Sequence, residues 1–326
     1  MLLPLRAPDV RFRAVHSTFI LPLMPLHLHA ISRREFLLRG AVAGASLLLI
    51  PALRAANSKA DADRWALLSD THIAADPETA KLNVNMAAHL RAAIAEVLAL
   101  STPPQGMLIN GDCALDQGLA GDYATFSELL QPVAAAELPT HLALGNHDNR
   151  EVFWNALKDA RPAAPPLASR QVSVIESPRA NWIMLDSLDV THQTPGRLGD
   201  DQRAWLATAL DARADKPALV MVHHNPIFEG DKKTGLLDTA ELLAILQPRR
   251  HVKALFFGHT HTWRLKEIDG LHLINLPAVA YPFNPAEVTG WVDCHVQADG
   301  ASLELRAHDT HHAAHGKVTE LRWRAA

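Results

Sequence analysis

The sequence is poor in cysteine, in basic residues and in long apolar runs, and each shortage excludes a class of protein. Two cysteines, Cys113 and Cys294, are too few for a disulfide framework, although one pair could form in an oxidising compartment. Two unpaired buried thiols are the simpler expectation. A formal net charge of −4 without a basic stripe gives no indication of nucleic-acid binding.

The N-terminal segment has the composition of an export signal. The pair Arg33 and Arg34 precedes a mildly apolar stretch over residues 37–53, an arrangement that resembles a twin-arginine signal peptide. Its most apolar part, residues 41–53, is shorter than the ~20 residues that a bilayer span needs. We therefore expect residues 1–56 to be a leader that meets a membrane only during export, and the mature protein to be periplasmic or secreted. The start codon and the cleavage site stay open.

The remaining residues have the composition of an acidic globular protein. Residues 1–56 hold seven arginines and two acidic residues, so the rest of the chain is more acidic than the whole. That balance further disfavours binding to DNA or RNA. With 48% hydrophobic residues in a chain of 326, a sizeable core is possible, and we expect one domain over residues 57–326. The 19 histidines stand out and raise the possibility of metal ligands.

Predicted strands alternate with helices at first and dominate the C-terminal third. The predicted strands cover residues 65–69, 107–110, 141–144, 171–175, 182–185, 218–222, 252–257, 263–268, 271–276, 291–296 and 302–307, and the predicted helices cover 83–100, 123–136, 200–210 and 239–246. This order favours an α/β fold with parallel pairing near the start and an antiparallel portion towards the end.

Five short polar motifs follow predicted strands. They are Asp70-Thr71-His72, Gly111-Asp112, Gly145-Asn146-His147-Asp148, His223-His224 and Gly258-His259-Thr260-His261. Each motif alone is weak, because Gly, Asn and Asp are ordinary turn residues and an Asp-x-His pair is common by chance. Open α/β sheets bind ligands beyond the carboxyl ends of their strands. Five such motifs, each after a strand, therefore predict one shared site.

The residue types in these motifs indicate a metal centre. Carboxylates and imidazoles suit Fe, Mn, Zn or Co, and the absence of a thiolate among the motifs argues against a closed structural zinc site. An aspartate has two oxygens and can bridge two ions. Two ions held in this way can clamp a phosphoryl group and activate a water for attack on phosphorus.

The order and spacing of the motifs resemble the signature of the calcineurin-like metallophosphoesterase superfamily over residues 64–280. A weaker similarity in residues 185–206 is to the branch with class III cyclic-nucleotide phosphodiesterases and glycerophosphodiesterases. The resemblance implies a four-layer α/β/β/α sandwich of mixed sheets with its active site at the C-terminal ends of strands. It also implies two divalent or trivalent ions: Asp70, His72 and His261 would bind one, Asn146, His223 and His259 the other, and Asp112 both.

The resemblance gives His147 a catalytic role. In the family this histidine lies above the metals and contacts the phosphate or the leaving group, so we expect it to act as general acid or transition-state stabiliser. Asp148 is expected to fix its tautomer and keep it protonated. The alternative is that His147 only shapes the turn.

The choice between His223 and His224 stays open. Related sequences end in His-His-Pro-Pro and use the first histidine, but here Asn225 separates the pair from Pro226. Alignment on the strand over residues 218–222 favours His223, with His224 as the alternative or as a support behind it.

Two C-terminal features have milder interpretations. Residues 275–283 could line a substrate cleft, but a plain exit from strand to loop is the simpler expectation. The histidines of the tail are expected to form a solvated face rather than a metal site. They are His308, His311, His312 and His315.

Together with the expected leader, the resemblance implies an exported phosphoesterase in which a hydroxide that bridges the metals attacks phosphorus. Cyclic nucleotides or glycerophosphodiesters are the first expected substrates, and phosphomonoesters or phospholipid head groups are the alternatives. A non-catalytic metal- or ligand-binding protein is an alternative of another class. Such proteins typically lose a ligand or the counterpart of His147, and none is missing here. The sequence leaves the substrate, the metal identity and the oligomeric state open.

Overall fold

A computed structural model of the protein describes residues 60–161 and 164–325, so the expected leader lies outside the described residues. The described residues fall within one compact unit, Ser58–Ala326. Its helices are α1 (Met86–Ala99), α2 (Ala120–Ala135), α3 (Arg150–Ala156), α4 (Asp200–Asp211) and α5 (Thr239–Leu246), with a 3₁₀ turn at Lys158–Ala160. Among the described residues, no helix is both long and apolar enough to cross a bilayer.

Two six-stranded sheets form the centre of the unit. The first has the order β14-β13-β12-β1-β4-β5 and the second β10-β11-β9-β8-β7-β6. The strands are β1 (Asp61–Leu68), β2 (Ala80–Lys81), β3 (Val84–Asn85), β4 (Pro104–Asn110), β5 (Thr140–Ala143), β6 (Ser173–Glu176), β7 (Asn181–Met184), β8 (Ala218–Met221), β9 (Val252–Phe257), β10 (Arg264–Ile268), β11 (Leu271–Asn275), β12 (Gly290–Val296), β13 (Gly300–Ala307) and β14 (Val318–Arg322). Strands β1, β4 and β5 run parallel, as do β7, β8, β9 and β11.

The alternation of side chains along β1 shows why the sheets are covered on both faces. Trp65 and Leu67 point into a core shared by the two sheets, whereas Ala66 and Leu68 point into a core shared with α1, α2 and α3. Successive strand residues face opposite sides, so a strand that is apolar throughout must be buried on both. A third core joins the outer face of the second sheet to α4 and α5. The expected four-layer α/β/β/α sandwich is confirmed.

The helices cover the sheets with apolar faces at helical spacing. On α1 the buried residues include Leu90, Ile94 and Val97. Asn85 caps the N-terminus of this helix, because its side chain accepts a hydrogen bond from the backbone N–H of Ala88 at 2.8 Å. Both cysteines are buried and free, as expected.

Short elements escaped the sequence prediction. These are the β2–β3 hairpin, helix α3, the 3₁₀ turn and strand β14. Two-residue strands and a seven-residue helix are too short for a period to be visible. In β14 only Leu321 is buried, because this strand lies at the edge of its sheet, so no apolar alternation marks it.

Candidate metal centre

Each of the five motifs follows the carboxyl end of a parallel strand, as the sequence predicts. The strands end at Leu68, Asn110, Ala143, Met221 and Phe257. Five site residues then take a positive φ: Asp70 (53°), His72 (48°), Asp112 (47°), His259 (69°) and His261 (52°). This conformation is uncommon outside glycine, and strained backbone of this kind clusters at functional sites.

One group of buried side chains consists of Asp70, His72 and His261, whose ligand-type atoms lie within 4.8 Å of one another. The Nε2 atoms of His72 and His261 are 3.0 Å apart, and Nε2 of His261 is 3.4 Å from Oδ1 of Asp70. Two imidazole nitrogens and a carboxylate oxygen thus converge on one point, which is the set of donors that a borderline metal ion prefers.

Asp112 lies between His72 of this group and His223. Its Oδ2 is 3.7 Å from Nε2 of His72 and 3.2 Å from Nε2 of His223. Its Oδ1 accepts a hydrogen bond from the backbone N–H of His147 at 2.9 Å. A carboxylate with a histidine nitrogen on either side has the position that a ligand shared by two ions would need.

Asn146 and His259 are the remaining predicted ligands. Asn146 is buried, and its Oδ1 has no hydrogen-bond partner. The ring of His259 lies 5.3 Å from that of His223. A buried carbonyl oxygen without a partner is costly, and a bound cation would supply the missing interaction.

Four of the site histidines have one ring nitrogen on a main-chain carbonyl oxygen. The pairs are His72 Nδ1 with Leu115 at 3.2 Å, His223 Nδ1 with Asn110 at 2.8 Å, His261 Nδ1 with Tyr281 at 2.5 Å, and His259 Nε2 with Thr234 at 3.0 Å. A carbonyl only accepts, so that nitrogen carries the proton and the other keeps its lone pair. Metal-bound histidines are commonly oriented in this way, and the residues therefore fit the metal ions that the resemblance implies.

The electrostatics of the cluster point the same way. Burial lowers the pKa of His72 to about 3, and burial together with His223 lowers that of His259 to about 4. Although burial opposes it, His261 and His223 lower the pKa of Asp70 to about 2. Neutral imidazoles beside ionised carboxylates are the protonation states that bind metal.

His223 is the exception, because it favours the charged form. Burial opposes the charge, but Asp112 and Asp70 together raise the pKa of His223 to about 9. Two buried carboxylates require a positive charge nearby. In the absence of a metal ion, a proton on His223 meets that requirement.

The geometry favours His223 over His224. His223 has its Nε2 beside Asp112, whereas Nδ1 of His224 is 2.7 Å from the hydroxyl of Ser187. The His224 ring lies 4.7 Å from that of His259, and the ligand-type atoms of His223, His224 and His259 lie within 4.8 Å of one another, so His224 stays the alternative ligand beside His223.

The expected contact between Asp148 and the ring of His147 is wrong. The Asp148 carboxylate instead accepts hydrogen bonds from the backbone N–H groups of Cys113 (3.2 Å), Ala114 (3.1 Å) and Gly145 (2.9 Å) and from the hydroxyl of Tyr123 (3.0 Å). Burial and Asp112 raise the pKa of Asp148 to about 6. It is a fully buried residue that ties two loops together, and it does not reach the ring.

Asp116 takes the position that was expected of Asp148. Nδ1 of His147 is 3.1 Å from the backbone oxygen of Asp116 and 3.3 Å from its Oδ1. The same Oδ1 is 3.1 Å from Nδ1 of His192. Sequence reasoning missed Asp116 and His192, since both lie in loops; the spacing of Asp116, four residues after Asp112, is the one weak signal for it.

Comparison with known proteins agrees with this geometry. A family model described as calcineurin-like phosphoesterase matches residues 64–263, more than half of the chain. The chain is 29% identical over 223 residues to the 3′,5′-cyclic adenosine monophosphate phosphodiesterase CpdA of Pseudomonas aeruginosa, covering 67% of this chain and 76% of the relative. It is 25% identical over 222 residues to the glycerophosphodiester phosphodiesterase GpdQ of Enterobacter lignolyticus, covering 66% and 77%.

Solved structures share the fold at low sequence identity. A dimetal phosphatase from Danio rerio superposes with a TM-score of 0.63 at 14% identity, and the match covers 80% of this chain and 99% of that one. Its likeness confirms the architecture that brings the strand ends together. The family match over more than half of the chain, together with the clustered donors, shows that the chain belongs to the calcineurin-like phosphoesterase family and is a metal-dependent hydrolase of phosphoric esters.

Proposed function

We propose that the protein is a dinuclear phosphodiesterase that acts on small phosphodiesters. The observation that carries this proposal is the convergence of the site histidines, each with one nitrogen fixed by a carbonyl, on two buried aspartates. Asp70, His72 and His261 would bind one ion and Asn146, His223 and His259 the other, with Asp112 between them. When bound, two divalent ions would clamp the phosphoryl group and lower the pKa of a water.

We propose that His147 assists the reaction, and three observations support this role. Its side chain is 21% exposed, Nδ1 is held by Asp116, and Nε2 lies 4.0 Å from Oδ2 of Asp112. The nitrogen that faces the cluster is therefore available to a phosphoryl oxygen or to the leaving group. When protonated, His147 would donate a hydrogen bond there or transfer the proton to the departing oxygen.

The preference for diesters is supported by the relatives. Both CpdA and GpdQ are named as phosphodiesterases, one of a cyclic nucleotide and one of glycerophosphodiesters. Phosphomonoesters remain the competing substrate class, since this arrangement of ligands would clamp either kind of ester.

Hydrolysis by the purified protein, reconstituted with Mn²⁺, tests the proposal. We expect faster cleavage of bis-p-nitrophenyl phosphate than of p-nitrophenyl phosphate, and a metal content near two equivalents per chain. Asp112→Ala should lose the activity. Asp215→Ala, an exposed aspartate in the loop before β8, is the matched control and should retain activity. Faster monoester cleavage would contradict the diester preference, and one equivalent of metal would contradict the dinuclear centre. No cleavage with two metals bound would favour a binding protein.

We also propose that the protein is exported by the twin-arginine route, on the strength of Arg33, Arg34 and the short apolar stretch after them. Fractionation of cells that express the full chain tests this. The double substitution Arg33→Lys and Arg34→Lys should leave the protein in the cytoplasm, whereas Arg39→Lys should not. Unchanged export of the double variant would refute the route.

A further inference from the structure

An exposed aromatic side chain lies at the edge of the candidate metal centre. Phe283 is 59% exposed and is the one aromatic among the large apolar side chains that are exposed in the described part of the chain. Its ring lies 4.1 Å from the ring of His261 with an interplanar angle of 17°. The buried ring of Tyr281 is 5.9 Å from that of Phe283 and 5.1 Å from that of His261. We name Tyr281 and Phe283 the aromatic wall.

The backbone holds this wall against the metal ligands. The carbonyl of Tyr281 accepts the hydrogen bond from Nδ1 of His261, and the backbone N–H of Ala280 donates to the carbonyl of Asp70 at 3.1 Å. The segment that carries Phe283 is therefore tied to two predicted ligands. Residues 275–283 thus form more than the plain exit loop that the sequence suggested.

The stacking geometry leaves a flat apolar surface open to solvent. One face of the Phe283 ring lies on His261, so the exposed part of the side chain comprises the other face and the edges. Single exposed leucines and valines need no explanation. A ring held parallel to a metal-ligand imidazole is different, because it presents a fixed flat surface next to the place where a phosphate would bind.

We propose that Phe283 is the stacking surface for the base of a nucleoside phosphodiester whose phosphate lies at the metal centre. This rests on the proposed function and names its substrate class. Every nucleobase has a flat π-face, and stacking of a base on an aromatic side chain contributes substantially to binding. A glycerol group offers no such face. Lys81, with Nζ 5.1 Å from the Tyr281 ring, adds a positive charge beside the wall that suits an anionic substrate.

Steady-state kinetics of the Mn²⁺-loaded protein test the proposal with two diesters, 3′,5′-cyclic AMP and glycerophosphoethanolamine. In Phe283→Ala we expect the kcat/KM for cyclic AMP, divided by that for glycerophosphoethanolamine, to fall at least about fivefold. The cause should be a higher KM for cyclic AMP. Phe283→Trp keeps a flat ring and should preserve the ratio. Val318→Ala removes another exposed apolar side chain, on the edge strand β14, and should leave both activities unchanged.

Calorimetric titration with adenosine 5′-monophosphate gives a readout apart from turnover. Its affinity for the metal-loaded protein should weaken by a similar factor in Phe283→Ala and persist in Phe283→Trp. Equal losses of activity on both diesters, together with a lower metal content, would mean that Phe283 only supports His261 and would overturn the proposal. An unchanged ratio of kcat/KM values and an unchanged affinity for adenosine 5′-monophosphate would also overturn it. Cleavage of bis-p-nitrophenyl phosphate decides the proposed function separately. If the wild type cleaves neither natural diester, the titration alone decides whether the stacking surface exists.

Discussion

At the scale of single residues, the site depends on backbone held in place by side chains. Asp148 connects the loop after β4 to the loop after β5, through three backbone N–H groups and the hydroxyl of Tyr123. Gly145 is needed for space, because an added Cβ would lie 2.1 Å from Oδ1 of Asp112 and 2.6 Å from Nε2 of His223. In the sequence Asp148 and Gly145 are simply members of the same motif as the candidate ligand Asn146. Only the structure shows that they position the site and do not belong to the candidate ligands.

We predict that Asp148→Asn weakens the fold and the metal site together. Asparagine keeps one acceptor oxygen where the carboxylate has two, so at least one buried N–H loses its partner, at a cost of about 1–3 kcal/mol. Urea denaturation and metal analysis should both show a loss. Tyr123→Phe removes one of the four hydrogen bonds to Asp148 and also the acceptor of the Asn149 backbone N–H (2.8 Å), but it keeps both carboxylate oxygens, so we expect it to lower stability with a smaller loss of metal. A variant of normal stability and metal content that has lost activity would restore a direct catalytic role to Asp148.

Asp116 is predicted to act through His147. Asp116→Asn should leave metal content and stability near those of the wild type, because the side chain of Asp116 is 42% exposed. It should lower kcat more for alkyl leaving groups than for p-nitrophenolate, since only a poor leaving group needs a proton from His147. Stopped assays with methyl p-nitrophenyl phosphate and with glycerophosphoethanolamine would measure the difference. An equal loss on both substrates would contradict the assignment.

At the scale of elements, apolar periodicity located the long strands and helices but not the loops between them. Strands β1, β4, β5, β8 and β9 each have a mostly buried, mostly apolar second half, so their ends, and hence the ligand positions, could be predicted. The loops that carry Asp116 and His192 have no period, and their contact with His147 depends on tertiary packing. His308 departs from the solvated face expected of the tail: it is partly buried, and its ring lies 4.1 Å from that of His89 of α1 at an interplanar angle of 35°.

His308, the residue after the end of β13, makes the stability of the fold depend on pH. Its Nε2 is 3.0 Å from the carbonyl of Val279, and burial with His89 lowers its pKa to about 4. The unfolded chain takes up this proton near pH 6.5, whereas the folded one does not. Folding stability is therefore full above pH 6.5 and falls as the pH drops towards 4.

The substitution His308→Gln removes this titration while keeping an N–H donor. From pH 7 to pH 4.5 the variant should lose about 2 kcal/mol less stability than the wild type. Urea denaturation curves at several pH values would measure this. His311→Gln, at an exposed position in the same tail, is the matched control and should follow the wild type. Parallel curves for His308→Gln and the wild type would refute the prediction.

At the scale of the whole molecule, the arrangement of the sheets lay beyond the residue pattern. Strand β1 pairs with β4 in parallel and with β12 in antiparallel orientation, and Leu67 lies opposite Val292. Apolar periodicity predicts that these strands exist, but it does not indicate which strands, distant in sequence, pair with each other. The four-layer order was expected from the family resemblance, and it places the five strand ends at one site. The donors thus come from segments that only the complete fold brings together.

A centre assembled in this way should couple metal binding to global stability. Ions that bind the folded chain but not the unfolded one stabilise it by about 3–4 kcal/mol when present at 100 to 1,000 times their dissociation constant. For a chain of this size we expect chelation to lower Tm by roughly 10 °C, and added Mn²⁺ to restore it. In Asp112→Ala the shift should shrink, because the carboxylate between the two groups is gone. Differential scanning calorimetry with and without EDTA would measure both, and an unchanged Tm would mean that the seven donors do not hold metal in the folded protein.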